Sequence, residues 1–257
     1  MAGRLDGKIA LVTGGSRGIG RAIAVRLAAD GCAVVAFSYH SDGDSARSAA
    51  AAIEAAGAVA VPVQARLEDE DGAGALFTAL DAELRGRTGD VGFDILVNNA
   101  GSAAPATLAS ADPATFDQLV AVNARAPYFI TQAAAGRLRD GGRVINISSV
   151  YSTRPLAQAP VYSMTKAAVD VLTQTSAAEL GERGITVNAV APGWTATDAN
   201  AAARADAGLV AGVARDTVAG RIAEPADVAG VVSLFAAPEA AWLTGQYVIA
   251  NGRYRYS

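Results

Sequence analysis

The chain has almost no cysteine or histidine. Cys32 and His40 are the single examples of each in 257 residues. A lone cysteine excludes an internal disulfide and a cysteine-based metal cluster. A lone histidine excludes multi-histidine metal sites and argues against a serine–histidine–aspartate triad. Positive charge is also short, with 21 Lys and Arg against 25 Asp and Glu and a net charge of −4. That balance offers no basic surface to nucleic acid and little attraction to an anionic membrane. No apolar run approaches the ~20 residues that a bilayer-spanning helix needs. The opening MAGRLDGKIALVTGG has no apolar signal region ahead of the first strand pattern, and a cytoplasmic protein is expected. With so little histidine and cysteine, proton transfer would fall to Tyr, Lys, Asp or Glu.

What the chain has in quantity is apolar side chain, 51% against 18% charged. That is enough for a substantial core and too apolar for a disordered chain. Short apolar runs at 8–13, 33–39, 58–64, 93–98, 143–148, 185–190 and 246–250 read as strands. Amphipathic, alanine-rich stretches at 18–30, 44–56, 70–85, 113–139, 161–182 and 225–236 read as helices. The strand runs are nearly continuous in apolar and β-branched residues, which suits burial on both faces of a parallel sheet. The alternation predicts an α/β, Rossmann-type doubly wound sheet of seven parallel strands with helices on both faces. Neither a linker nor a repeat interrupts it, so residues 1–257 are expected to form one domain. The Ala/Gly/Asp-rich stretch 198–217 is expected to be irregular, a mobile lid over a site.

The first strand pattern runs into TGGSRGIG, with Gly14, Gly15, Gly18 and Gly20 ahead of a helix. Glycine permits positive φ and close backbone approach, and a helix N-terminus presents free N–H groups to a pyrophosphate. The spacing is G-x-x-x-G-x-G and not the G-x-G-x-x-G fingerprint, and a turn rich in glycine for packing alone is the competing reading. The second strand ends in FSYHSDGD, with no acidic residue before Asp42 to take the ribose hydroxyls of NAD. Arg17 in the loop, beside the hydroxyls of Ser38 and Ser41, suits a 2′-phosphate better than a diol. NADP(H) is therefore favoured over NAD(H). His40 either touches the adenosine or is an exposed loop residue.

VYSMTK places Tyr162 and Lys166 four positions apart, on one helix face. Alone, such a pair means little. It gains meaning beside NNAG at 98–101, Asn123 in VNARAP, INISS at 145–149 and APGWTATD at 191–198. With TGGSRGIG, these pieces resemble the short-chain dehydrogenase/reductase family, in order and over essentially the whole chain. The likeness is to its compact single-domain branch, especially bacterial 3-oxoacyl-acyl-carrier-protein reductases and the ketoreductases of secondary metabolism.

The resemblance implies roles that the residue chemistry supports. A carbonyl receiving hydride develops negative charge on oxygen and needs a proton donor and a polarising hydrogen bond. Tyr162 would be the donor. Lys166 would favour its phenolate and bind the nicotinamide ribose. Ser149, thirteen residues before Tyr162, would bond the substrate oxygen, and Asn123 would hold a water against Lys166. Adjacent strand residues face opposite ways, so only one of Ser148 and Ser149 should face the pocket, and the spacing selects Ser149. The cofactor wall would comprise Gly14, Ser16, Arg17, Gly18, Ile19 and Gly20, with Ser38, Tyr39, His40 and Ser41. Arg66 and Leu67, then Asn98, Asn99, Ala100 and Gly101, would continue it. Pro192, Gly193, Thr195 and Thr197 would close over the nicotinamide. No metal site is expected.

Three features depart from the family pattern. Arg66 stands where an aspartate commonly meets the adenine, so stacking, phosphate pairing or replacement by Glu68 all stay open. The tail carries Asn251 and Arg253 in place of Asp-Gly-Gly. Residues 150–160 lack the glycines frequent in the carrier-protein reductases. Ser102, Ala103, Tyr151, Arg154, Gln158 and Trp194 are the candidate substrate residues, with Arg154 placed for a polar or anionic group. The expected activity is NADPH-dependent reduction of a 3-oxoacyl or secondary-metabolite ketone. The alternative is an NAD-dependent alcohol or sugar dehydrogenase. A cofactor-binding protein without chemistry would be expected to lack the tyrosine, lysine or serine, and all are present. Helices around 113–139 and 161–182 are expected to bury apolar faces in a homotetramer (or homodimer).

Overall fold

A computed structural model describes residues 3–104 and 106–252. The strands are β1 (Ile9–Val12), β2 (Val34–Tyr39), β3 (Val59–Gln64), β4 (Phe93–Asn98), β5 (Leu138–Ile147), β6 (Thr186–Pro192) and β7 (Tyr247–Ala250). They form one seven-stranded sheet in the order β3-β2-β1-β4-β5-β6-β7, parallel at every pairing. The helices are α1 (Gly18–Ala29), α2 (Gly43–Ala55), α3 (Gly72–Thr88), α4 (Pro113–Val120), α5 (Ala126–Ala135), α6 (Pro160–Leu180), α7 (Ala201–Arg204), α8 (Ala207–Asp216) and α9 (Pro225–Ala236).

Alternation along the strands divides the core. Val12, Val97, Ile145 and Val190 pack with residues of α1, α2 and α9. Leu11, Leu96, Val144 and Val187 pack with α3, α5 and α6 on the other face. Strands apolar on both faces are thereby fully used, as a parallel sheet covered by helices requires. The chain winds outward in both directions from the β1–β4 pair, and this reversal of strand order opens a crevice at the carboxyl ends of the strands.

Two expected elements differ. The single helix expected over 113–139 is broken, because a π-helical turn, Ala121–Arg125, separates α4 from α5. A π turn widens the helix by one residue per turn and is common at functional sites. Here it carries Asn123 inward, to 1% exposure. The chain then leaves the helix at Gly136 and joins β5 from Leu138, which pairs with Phe93 before the register shifts. The stretch 198–217 is not irregular either. It forms a short 3-10 turn at Asp198–Asn200 followed by α7 and α8. A Thr197/Asn200 capping box starts the 3-10 turn, and the Asp206 side chain caps α8. Among the described residues no helix is long and apolar enough to cross a membrane. Asn251 is buried, and Arg253 lies outside the described residues.

Candidate active site

The glycine loop is built for close approach. Gly14 has φ +64°. A Cβ on Gly20 would stand 2.2 Å from the Gly14 carbonyl oxygen and 2.4 Å from Asn99 Nδ2, so no side chain fits there. Asn99 Nδ2 donates to the carbonyls of Thr13 at 2.8 Å and Gly14 at 3.1 Å. In return Thr13 Oγ1 accepts the N–H groups of Asn99 at 2.9 Å and Ala100 at 3.0 Å. The ends of β1 and β4 are thus laced together. Ser38, nearly fully buried, accepts the Gly14 N–H at 3.0 Å and holds the loop against β2. No side chain caps the start of α1, so its first N–H groups stay available to an anion.

A cavity of about 440 Å³ opens above this loop. Its wall includes Gly14, Ser16, Arg17, Gly18, Ile19, Gly20, Ser38, Tyr39, His40 and Ser41, with Leu67, Asn99, Ala100, Gly101 and Thr197 opposite. Two residues expected there are elsewhere. Arg66 is outside the wall because its guanidinium pairs with Glu68 at 3.1 Å and Asp69 at 3.4 Å. Ala65, Leu67 and Glu68 take that part of the wall. Asn98 turns into the core, donating to Asn146 Oδ1 at 2.9 Å and Thr131 Oγ1 at 3.0 Å. His40 faces Glu68 at 3.3 Å across the rim. Asp42 lines the cavity but caps α2 through Ser45, and those hydrogen bonds hold its carboxyl below the usual range.

A second cavity of about 550 Å³ adjoins the first and shares Arg17, Ile19, Asn99, Gly101, Ser102 and Thr197 with it. Ser149, Tyr162 and Lys166 line it, together with Ser102, Ala103, Tyr151, Gln158, Pro192, Gly193, Trp194 and Thr195. Arg154 is exposed on the turn after Tyr151 and lies outside this wall. Both Ser148 and Ser149 reach the cavity, but their hydroxyls diverge. Ser149 bonds the Tyr162 phenol, while Ser148 turns under α6 to the Lys166 carbonyl at 3.4 Å and to Asp170.

Lys166 is buried, and its ammonium donates to the Ile147 carbonyl at 2.8 Å. Burial brings its pKa down to about 8, against the opposing pull of Asp170. The same burial pushes the Tyr162 phenol above its ordinary value, and the Ser149 hydrogen bond offsets this only in part. The expected lowering of the phenol by Lys166 is not what the structure has. The ammonium sits 5.8 Å from the Tyr162 ring centroid and is engaged with Ile147, so desolvation dominates.

Asn123 lines neither cavity. Its Oδ1 accepts the Ser102 N–H at 2.9 Å, and its Nδ2 donates to the Ser102 carbonyl at 2.8 Å and Thr165 Oγ1 at 3.3 Å. It therefore clamps the loop after β4 to α6. Thr13, Thr165 and Asp170 were not singled out from sequence. Asp170 alone had a readable signal, because it lies four residues beyond Lys166 on the same helix face.

A glycine cradle at a strand-order reversal, opening into a cavity with a paired serine and tyrosine, defines a dinucleotide-dependent oxidoreductase. A family model for short chain dehydrogenase matches residues 8–208, and the chain belongs to the short-chain dehydrogenase/reductase family. It is 39% identical over 253 residues to an uncharacterized oxidoreductase of Methylorubrum extorquens, covering 98% of this chain and 99% of that one. Among solved structures it resembles LugOII, a promiscuous reductase that catalyses keto-reduction at C1 during lugdunomycin biosynthesis. That match has TM-score 0.93 and 42% identity, and covers 97% of this chain and 98% of the other. It also resembles the angucycline C-6 ketoreductase LanV with bound NADP, with TM-score 0.92 and 41% identity, covering 98% and 97%.

Proposed function

We propose that the protein is an NADPH-dependent ketoreductase that reduces a bulky, mostly apolar ketone of secondary metabolism, with Tyr162 as proton donor. The observation that carries this reading is the Ser149–Tyr162 hydrogen bond at the wall of the second cavity, with the buried Lys166 beside it. The residues of the first cavity fit a dinucleotide. An uncapped helix start, a positive-φ glycine and a Gly20 that tolerates no side chain leave backbone N–H groups facing open space. Arg17 in that wall supports NADPH, and Asp42, engaged in capping α2, is not free to hold a ribose diol.

The wall from Gly14 to Gly20 would hold the dinucleotide, and a reduced nicotinamide bound there would supply hydride for the carbonyl carbon. Ser149 donates a hydrogen bond to the carbonyl oxygen and polarises it. Tyr162 transfers its proton to that oxygen as negative charge develops. A phenol whose pKa is raised by burial stays protonated at neutral pH, which suits the reductive direction. Lys166, still largely protonated below about pH 8, stabilises the phenolate that remains. Asn123 holds the Ser102 loop in place between the cavities.

Ala103, Ala104, Leu156, Ala159 and Trp194 give the second cavity apolar walls, with Gln158 and Asn200 as polar points. Arg154, the expected partner for an anionic group, is not among them. This supports a polycyclic ketone, of the kind named for LugOII and LanV, over a 3-oxoacyl thioester. One continuous sheet from Ile9 to Ala250 supports a single catalytic domain, and exposed apolar helix faces support a homotetramer. The test is a panel of polycyclic ketones and 3-oxoacyl thioesters with NADPH and NADH, followed by cofactor absorbance. Turnover of the polycyclic ketones with at least tenfold preference for NADPH, roughly the worth of one charged contact, is expected. Equal use of NADH, or turnover of the thioesters alone, contradicts it.

A further inference from the structure

Behind the second cavity, the last strand sends a phenol toward the strand that carries Ser149. Tyr247 opens β7 and pairs with Ala189 of β6, which pairs in turn with Asn146 of β5. These positions share the sheet face under α5 and α6, so an alanine methyl stands between the Tyr247 ring and β5. The Tyr247 hydroxyl lies 3.1 Å from the Ser149 carbonyl oxygen, 3.2 Å from Ser152 Oγ and 3.3 Å from Thr153 Oγ1. In sequence it is 98 residues from Ser149, and no motif spacing connects the two.

The proton inventory gives Tyr247 a specific task. Ser152 has one proton and three acceptors within reach. They are the Ser149 carbonyl at 2.9 Å, the Tyr247 oxygen at 3.2 Å and the Asp170 carboxyl group. Tyr247 also has one proton and donates it to the Ser149 carbonyl at 3.1 Å, so that carbonyl is held by Tyr247 whichever acceptor Ser152 takes. At the other end of the same residue, Ser149 Oγ accepts the Tyr151 N–H at 3.2 Å. That bond occupies a lone pair and leaves the Ser149 hydroxyl proton directed toward Tyr162 and the cavity. Ser149 is held at its carbonyl by Tyr247 and at its side chain by Tyr151.

We propose that Tyr247 is a positioning residue for carbonyl reduction, holding the Ser149 carbonyl and the 150–153 turn so that the Ser149 hydroxyl and Tyr151 face the substrate. This rests on the reaction proposed at Ser149 and Tyr162. Tyr247 touches no reacting atom and acts through the backbone of the residue that does.

Tyr247→Phe removes only the oxygen. Its kcat for a ketone should fall about three- to tenfold, the worth of one hydrogen bond, with KM for NADPH and Tm unchanged. In a Ser149→Ala background the same substitution should cost less than about twofold, because the group being positioned is gone. Without cofactor or substrate, amide exchange over 150–153 should quicken in Tyr247→Phe. Ser152→Ala is the second probe, and its smaller loss should likewise disappear in the Ser149→Ala background. Full kcat in Tyr247→Phe, or equal losses with and without Ser149, overturns the proposal. A fall in NADPH affinity or Tm that accounts for the lost kcat also overturns it. If the wild-type chain reduces no ketone, the proposed reaction fails, while the exchange measurement still decides whether Tyr247 holds the turn.

Discussion

Lys166 lies where its charge depends on pH within the working range of an enzyme. Burial lowers its pKa from 10.5 to about 8, and Asp170 on the next turn pulls the other way. Because the folded value is depressed, the ammonium is the form that folding disfavours, and it persists only below about pH 8. Reduction through Tyr162 draws on that ammonium, so kcat/KM for a ketone should fall as pH rises through about 8. Asp170→Asn removes the anion that supports the charge, so the alkaline limb should move to lower pH. A pH profile of both forms checks this, and a limb that stays put or moves upward contradicts it. Ser149, Tyr162 and Lys166 were legible through the family resemblance, while strand alternation did not separate Ser149 from Ser148, since both reach the second cavity. Arg66 and Arg154 were not legible, because a loop arginine points wherever its neighbours draw it. Glu68 and Asp69 hold Arg66 outside the cavity wall.

At the scale of elements, the strands were readable to within two residues at every end except the start of β5, which begins at Leu138 and not at 143. Burial on both faces leaves an uninterrupted apolar run that has few other interpretations. The π turn at Ala121–Arg125 had no such signature. It exists because Asn123 finds the Ser102 backbone and Thr165, contacts made across the fold and invisible to local pattern. The stretch 198–217 is helical where an irregular segment was expected, for a related reason. Its Ala/Gly/Asp composition resembles a loop, but the Thr197/Asn200 box starts the 3-10 turn that leads into α7, Asp206 caps α8, and neither helix buries a residue. Arg204 ties them to the site through Asn200 Oδ1 and the Thr197 carbonyl, both at 3.0 Å. Helices that fully bury no residue open at low free energy. Amide exchange in 201–216 should be much faster than in the core of α6, and NADP should slow it through Thr197, Asp198 and Ala199. Protection equal to that of α6 without ligand contradicts this.

Over the whole molecule, exposed large apolar side chains among the described residues include several on α5, on α6 and toward the C-terminus. Tyr128 and Phe129 of α5 pack edge to face, 5.2 Å between ring centroids, yet stay 51% and 43% exposed. Met164 and Val171 continue an exposed stripe along α6. Leu234, Trp242 and Ile249 form a second group near the β7 edge. If each of these groups is covered by its counterpart in another copy, a tetramer of dihedral symmetry results. Light scattering on the purified chain should give four copies, and Phe129→Glu with Val171→Glu should give a smaller species. A wild-type monomer at micromolar concentration contradicts this. The central claim concerns one oxygen atom, that of the Tyr162 phenol. The direct measurement is ketone reduction by Tyr162→Phe, with NADPH binding followed in parallel. The account predicts a loss of about 100-fold or more in kcat with NADPH affinity unchanged. Tyr162→Phe working at the wild-type rate would contradict it.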